Sequence, residues 1–489
     1  MWPLFSVLAI FYAALFLFKN KYHVLSEQIY EKYGLDIGLF QIKLSLSAKR
    51  RWVTNIPTMK KCKNFYKCGT IIGLVLIIPS LAFLVWNLYK IINLAWSSTI
   101  SISDKDENSD SKMNNIKEEL IFQPVLPGVT FPMSEFGVYG FSLFLSTVFH
   151  ELGHSLAADC QDVKILGYGI LIFFIIPAAY VDLSTGELTS LSLTDQLKVY
   201  TAGIWHNLVL SLIAFLLLFT LPTLISKPFY HYKTEGVAIL QLKLNSSVNG
   251  PSGLAIGQVI TAVNDCKVNK VTNFYDCIKT EAHEDKGFCL PKTLIQGMDC
   301  GGQECCEKNK NNGTFLNFKG KSVYCLPVRL ASNSSVQFCK NQDTEDSENS
   351  NFSCLDDYHE CVKPVLPYLH EKLWLMKRRK DQKDFLFIGF STDLLSGIEI
   401  LSDYVPKYDI LPVGLPVLIV NGLYYTCSFS LALALINIVP CVMLDGQFII
   451  KTLMQICCSH TKAFYFSSIF IYLGSGLLLT NLLLTFMLL

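Results

Sequence analysis

Two imidazoles and a carboxylate stand together in the stretch Phe149-His150-Glu151-Leu152-Gly153-His154. On an α-helix, residues four apart share a face, so His150 and His154 can offer ring nitrogens to one zinc ion, with Glu151 beside it as general base. The setting adds weight. Phe141 to Thr147 is almost wholly apolar, and an ionisable side chain in such surroundings is costly enough to count as functional by default. The plain alternative is a helix whose two histidines and one glutamate line a polar seam between helices. A catalytic zinc takes three protein ligands and leaves a fourth position to water, and this stretch supplies only two.

Asp445 is a second ionisable group at membrane depth, in Asn437-Ile-Val-Pro440-Cys-Val-Met-Leu444-Asp445-Gly446. It needs a partner, and a zinc ion already short of a ligand is an economical one. Pro440 removes a helical hydrogen bond and opens the backbone just before the aspartate. Read plainly, the same residues are a helix-terminal Asp-Gly at the membrane surface. A third polar insertion, Gly203-Ile-Trp-His206-Asn207, opens another apolar block and fits either active-site contacts or packing within a bundle.

The elements that must hold these groups follow from composition. Of 489 residues, 51% are hydrophobic, 12% aromatic and 17% charged, which describes a multi-spanning α-helical membrane protein with a soluble portion. A net charge of +1 favours no charged partner, and no basic patch interleaved with aromatics exists to bind nucleic acid. Apolar blocks near 2–18, 69–96, 136–158, 199–225, 411–450 and 463–489 give about six spans, the first an uncleaved anchor. Between Lys19 and Cys68, 11 Lys/Arg against 3 Asp/Glu place a loop in the cytosol. Ser97 to Glu119 reads as a flexible linker. The run Val163 to Pro177 fits a re-entrant β-hairpin whose Gly167 to Ile176 edge could accept an extended peptide, or an ordinary short helix.

The soluble part, Ser226 to about Asp409, holds ten of the 17 cysteines: Cys266, Cys277, Cys289, Cys300, Cys305, Cys306, Cys325, Cys339, Cys354 and Cys361. An even, dense set reads as a disulfide framework in an oxidising compartment, with zinc thiolates as the rival. Sequons at Asn245, Asn312, Asn333 and Asn351 favour a lumenal, glycosylated domain. That orientation carries the zinc helix from lumen to cytosol and sets the metal toward the cytosolic face. Gly253 to Asn264 is similar to the binding-loop and strand portion of a PDZ domain, with Gln258 where an acid is usual.

The pattern H-E-x-x-H, Gly203-x-x-x-Asn207 and Asn437-x-x-Pro440-x-x-x-x-Asp445-Gly446, in that order around a PDZ-like insertion, resembles the site-two protease family of intramembrane zinc metalloproteases. The Cys-rich insertion and extra N-terminal spans resemble its animal members. The resemblance implies one zinc ion held by His150, His154 and Asp445, Glu151 as base, and Asn207 and Asn437 as substrate or active-site contacts. It implies single-span substrates in the Golgi or endoplasmic reticulum: transcription-factor precursors of the sterol regulatory element-binding and stress-response types, first cut by a lumenal protease. The expected organisation is an anchor region 1–98, a polar loop 99–134, catalytic core parts 135–226 and 411–489, and the lumenal domain 227–410. Two other classes remain: a membrane zincin of the CaaX-processing type, which would need a later membrane glutamate as third ligand, and a non-enzymatic Cys-rich scaffold.

Overall fold

The structure is a computed structural model that describes residues 2–38, 40–47, 63–103, 135–173, 176–243, 246–249, 253–284, 286–296, 306, 315–320, 322–332, 337–340, 354, 356–368, 370–379 and 383–488. Two compact units result: Met1–Phe219 with Val420–Leu489, and Thr220–Ile419.

The first unit begins with α1 (Trp2–Lys21) and α2 (His23–Tyr33). Gly34 ends α2 in the left-handed conformation at φ 70°, its N–H bonded to the Tyr30 carbonyl. Strands β1 (Leu35–Gly38) and β2 (Gln41–Ser47) follow. The basic stretch read from sequence as a loop is therefore partly a helix and a hairpin; Gln41-Ile-Lys-Leu-Ser-Leu-Ser alternates polar and apolar residues, as a strand does. α3 (Lys63–Ser103) carries Pro79 in its interior and extends through the first residues of the expected linker. Residues 104–134 of that linker lie outside the described residues.

α4 (Phe136–Cys160) buries Ser142, Ser146, His150, Gly153, His154 and Ala157, a stripe at helical spacing made of small and polar groups. Ser142 Oγ donates to the Gly422 carbonyl (3.1 Å), and the Ser146 and Ser430 hydroxyls pair at 2.9 Å. Of the two readings of Val163 to Pro177, hairpin or short helix, the hairpin is present as β3 (Ile165–Phe173) and β4 (Ile176–Leu183), the second strand running past Pro177. It does not stand alone. β2 pairs along β3 from Gln41↔Phe173 to Ser47↔Gly167, giving an antiparallel sheet in the order β1-β2-β3-β4. The Gly167 to Phe173 segment is thus interior, with partners on both sides, and the sheet edge nearest α4 belongs to β4. Gly169 lets the Tyr180 ring lie across it, since a Cβ there would sit 2.3 Å from that ring. α5 (Thr185–Ser190), α6 (Leu193–Tyr200) and α7 (Ala202–Ser226) complete this half.

The second unit holds β5 (Tyr230–Tyr232), β6 (Val237–Leu242), β7 (Val259–Val263), β8 (Cys266–Lys267), α8 (Val271–His283), β9 (Lys286–Pro291) and α9 (Lys292–Ile295). It continues through β10 (Phe315–Lys319), β11 (Val323–Pro327), β12 (Gln337–Lys340), β13 (His359–Pro364), β14 (Lys372–Arg378), β15 (Phe385–Gly389), α10 (Ser391–Gly397), β16 (Ile398–Ser402) and β17 (Tyr404–Pro406). One sheet runs β15-β14-β7-β6-β16, with β8 on β7, and packs Phe274 and Ile278 of α8 against Val237, Ile260 and Trp374. The other runs β11-β10-β13-β9-β12 around Phe288, Phe318 and Leu326. Gly253 to Asn264 forms a turn, with Gly257 at φ 88°, leading into β7. Disulfides join Cys266–Cys277, Cys289–Cys354, Cys306–Cys325 and Cys339–Cys361. Cys289, Cys339 and Cys354 cluster, but as disulfide sulfurs they are not thiolates free to hold a metal. Cys300, Cys305 and the four sequon residues Asn245, Asn312, Asn333 and Asn351 lie outside the described residues.

Returning to the first unit, α11 (Leu415–Asn437) ends before Pro440. α12 (Asp445–Cys457) and α13 (His460–Leu488) follow. Asn437 and Asp445, read as one late helix, are on two helices separated by a non-helical turn. Asn87 on α3 donates its amide to Asn481 on α13 at 3.0 Å, a buried polar clasp between two apolar helices. Among the described residues, four helices are long and apolar enough to cross a membrane: Asn64–Asn93, Ala202–Ile225, Leu415–Asn437 and His460–Thr485. The α1 and α4 blocks, counted from sequence as two further spans, stand outside that set.

Candidate metal centre

Three side chains converge from two helices. His150 and His154 lie one turn apart on α4, 6% and 8% exposed, and Asp445 is the first residue of α12. His150 Nε2 is 2.9 Å from Asp445 Oδ2, His154 Nε2 is 3.2 Å from the same oxygen, and the two nitrogens are 3.2 Å apart. Ligand atoms about 2.0–2.1 Å from a tetrahedral zinc are about 3.3 Å from one another, so the triangle has the size a zinc ion requires. Among the described residues it is one of two such clusters, and the other is the disulfide-bonded cysteine group.

The outer groups of both imidazoles agree with this. A histidine that ligates through Nε2 keeps its proton on Nδ1 and needs an acceptor there. His154 Nδ1 finds the Val199 carbonyl at 2.9 Å, at the end of α6. His150 Nδ1 lies 3.2 Å from the amide of Asn207, which is fully buried on the first turns of α7. The amide oxygen of Asn207 otherwise has no partner, and exchanging O and N in that amide gives His150 Nδ1–H its acceptor. The residues present therefore fit a metal.

Backbone close to the triangle is made possible by glycine. A Cβ on Gly203 would sit 2.4 Å from His154 Nε2 and 2.7 Å from His150 Nε2, inside the space the ligand atoms need. Gly153 meets the Ala202 carbonyl the same way, where a Cβ would be 2.6 Å from the oxygen, so α4 and α7 cross closely at these two residues. Asp445 depends on Gly446, whose Cβ would lie 2.1 Å from the Val439 carbonyl in the turn that Pro440 interrupts. Position one of a helix also suits a carboxylate, because the helix dipole and free amides favour negative charge there.

Glu151 points to the sheet side of α4, where its Oε2 accepts the Val181 N–H of β4 at 3.1 Å. One turn earlier, Thr147 Oγ1 accepts the Ala179 N–H at 3.2 Å. Asn437, the half-buried last residue of α11, makes no side-chain hydrogen bond among the described residues and is not brought to the ligand triangle by one. His206 donates to its own helix at the Ala202 carbonyl (3.0 Å) and stacks on Tyr66, which makes it a packing residue. Nothing in the sequence marked Thr147, Val199 or Val181 as part of the site. The latter two act through backbone atoms, which residue type does not encode.

The sequence pattern of Peptidase family M50 matches residues 139–481, a range that contains most of α4, all of α7 and α12, and all three ligand candidates. The chain belongs to peptidase family M50. It is also 24% identical over 361 residues, 64% of this chain and 69% of the other, to a protein of Arabidopsis thaliana described as a membrane-bound transcription factor site-2 protease homolog. M50 peptidases are zinc-dependent metalloproteases, so this M50 chain is a hydrolase, and the scaffold reading falls away.

Proposed function

We propose that this M50 peptidase is an intramembrane endopeptidase that cuts membrane-spanning segments of single-span proteins, with one zinc ion held by His150, His154 and Asp445. The observation that carries the reading is the triangle of two Nε2 atoms and one carboxylate oxygen, no edge longer than 3.2 Å, next to Glu151 and among helices apolar enough to span. When bound, zinc supplies a lowered water pKa and polarises the scissile carbonyl. Glu151 takes the proton of the attacking water and passes it to the leaving nitrogen as the C–N bond breaks, giving one carboxylate and one amine terminus. Asn207 and the Val199 carbonyl fix the ring orientation and tautomer of the two histidines. Asn437 is assigned to substrate contact. The third ligand favours this reading over the CaaX-processing type, because an aspartate completes the triangle where that type takes a glutamate.

The substrates proposed are transcription-factor precursors of the sterol regulatory element-binding and stress-response types, cut after a first lumenal protease and releasing a cytosolic domain. The similarity to a plant protein described as a membrane-bound transcription factor site-2 protease homolog supports membrane-bound transcription factors as the broader substrate class. Among the described residues, the four disulfides fall between Cys266 and Cys361, while the cysteines outside disulfides, among them Cys68, Cys427, Cys441, Cys457 and Cys458, belong to the first unit. That segregation supports a lumenal placement of the Cys-rich domain. Its PDZ-like character, its role as a size filter in Golgi or endoplasmic reticulum membranes and its glycosylation at Asn245, Asn312, Asn333 and Asn351 belong to the same proposal. The deciding experiment measures zinc and turnover on purified protein with a single-span substrate. Glu151→Gln is expected to keep stoichiometric zinc and lose cleavage; substantial residual turnover would remove Glu151 from the base role. Uncut untrimmed substrate after deletion of residues 250–361 from folded protein would remove the filter.

A further inference from the structure

We propose that the Val181 main-chain N–H is the positioning donor for the catalytic carboxylate, so that the outer edge of the active-site sheet aims the base. The proposal rests on the reading of Glu151 as base. β4 pairs with β3 through Tyr168↔Val181, Ile170↔Ala179 and Ile172↔Pro177, and residues 177, 179 and 181 share one orientation by the two-residue period of a strand. Their amides therefore face away from β3, toward α4. Two of them end on α4 side chains one helical turn apart: Ala179 N–H on Thr147 Oγ1 and Val181 N–H on Glu151 Oε2. The third position is Pro177, which has no N–H to satisfy.

The two bonds do different work. Thr147 also donates to the Phe144 carbonyl of its own helix at 2.8 Å, so its hydroxyl is a staple between helix and strand. Glu151 is one residue from a ligand and carries the charge that chemistry needs. A backbone amide pins one of its oxygens in a fixed direction and leaves the other for the water. Such a donor is pre-organised, because the four-stranded sheet fixes the strand from which it comes. The same N–H is what an extended substrate would need if it added to this edge as a fifth strand. The edge cannot both hold Glu151 through Val181 and pair a substrate there, and the structure assigns that amide to the base.

Proline at residue 181 removes this hydrogen, and Pro177 shows that the edge accommodates proline in the same orientation. The test compares Val181→Pro with Val181→Ala, which keeps the N–H, and with Ala179→Pro, which removes only the amide on Thr147. Zinc content, the visible spectrum of cobalt-loaded protein, kcat and KM are read for each. Expected for Val181→Pro are full metal, a cobalt spectrum moved toward that of Glu151→Gln, unchanged KM, and kcat about 10- to 100-fold below Val181→Ala, the size of loss from misplacing a reacting group. Ala179→Pro should lose much less. Equal kcat in Val181→Pro and Val181→Ala would overturn the proposal, as would a raised KM with preserved kcat in both proline variants, which would give the edge to substrate. Should Val181→Pro lose its metal through misfolding, an ester in place of the 181 amide removes the same hydrogen alone and is judged by the same readouts. Activity in Glu151→Gln would instead sink the base reading itself.

Discussion

At the scale of the residue, the centre depends on absent side chains as much as on present ones. Gly203 occupies a backbone position facing the Nε2 atoms of His150 and His154, and a single methyl there would be 2.4 Å from His154 Nε2. Neither the imidazoles nor the backbone can yield without breaking the triangle. Gly203→Ala is therefore expected to purify without zinc, whereas Gly476→Ala, where a Cβ meets nothing within 4 Å, should keep it. Zinc at wild-type stoichiometry in Gly203→Ala would refute this. Asn207→Ala leaves the ligands intact but strips His150 of its orienting partner, so zinc affinity should fall about 10- to 100-fold, measured by competition with a chelator. The grouping of His150 with His154 was legible in the sequence because two imidazoles at that spacing, in apolar surroundings, suit a metal far better than they suit packing, and the structure brings both to Asp445; the base role of Glu151 belongs to the proposal. Asp445 was legible because an isolated carboxylate at that depth needs a partner. Asn437 shows the limit: its place in a motif does not say what its amide touches, and no hydrogen bond ties it to the ligands among the described residues.

Elements carry those residues through interruptions. α11 stops at Asn437 and α12 starts at Asp445, so the proposed ligand sits on a fresh helix terminus instead of inside a continuous span. Pro440 announced a break in the helix. The length of the break did not follow from it, since a proline fixes one missing hydrogen bond and not the path of the next residues. The turn is packed tightly enough that Gly446→Ala would drive a methyl into the Val439 and Ile438 carbonyls, at 2.1 and 2.7 Å. Backbone cannot move aside as a side chain can. Gly446→Ala should displace Asp445 and lower both zinc occupancy and folded yield, while Gly137→Ala, in open space on α4, should change neither. Zinc content of detergent-purified protein decides between them. The four-stranded sheet was half legible: the β-branched run after Asp162 gave β3 and β4, whereas the charge bias from Lys19 to Cys68 drew attention from the two-residue alternation that makes β2. Sequence separation hid the pairing, because strands more than 120 residues apart, as Gln41 and Phe173 are, leave no local signal of their register.

At the scale of the whole molecule, the Cys-rich unit combines disulfides with a buried charge cluster, and the cluster makes its stability depend on pH in a way that can be worked out. Lys286, 7% exposed in its side chain, meets Asp265 at 2.6 Å, Glu284 at 2.8 Å and the buried carboxylate of Glu281, which also accepts the Asn264 amide at 2.8 Å. Burial alone would lower the lysine, but the hydrogen bonds its ammonium donates to the three carboxylates outweigh it and hold the ammonium above the ordinary lysine value of 10.5. A group raised in the folded state contributes stability that is complete below its unfolded value and disappears as pH rises through the folded one. The unit should therefore keep this contribution across neutral pH and begin to lose it above about pH 10.5. Glu281 has the opposite meaning at neutral pH: burial raises it above 4.5 despite the Lys286 and Asn264 hydrogen bonds, so its ionised form is tolerated because the lysine is there. Lys286→Met strands that carboxylate, a change that typically costs roughly 3–5 kcal/mol for a buried pair. It should also reverse the local pH response. The variant should gain stability as the pH falls toward the protonation of Glu281, and the alkaline loss expected of the wild type should disappear. Hydrogen exchange of the amides in β9 and α8, followed in the full chain from about pH 5 to 11 with rates corrected for intrinsic exchange, separates the two curves. Parallel curves for wild type and Lys286→Met would mean that the cluster adds nothing to the fold beyond its packing.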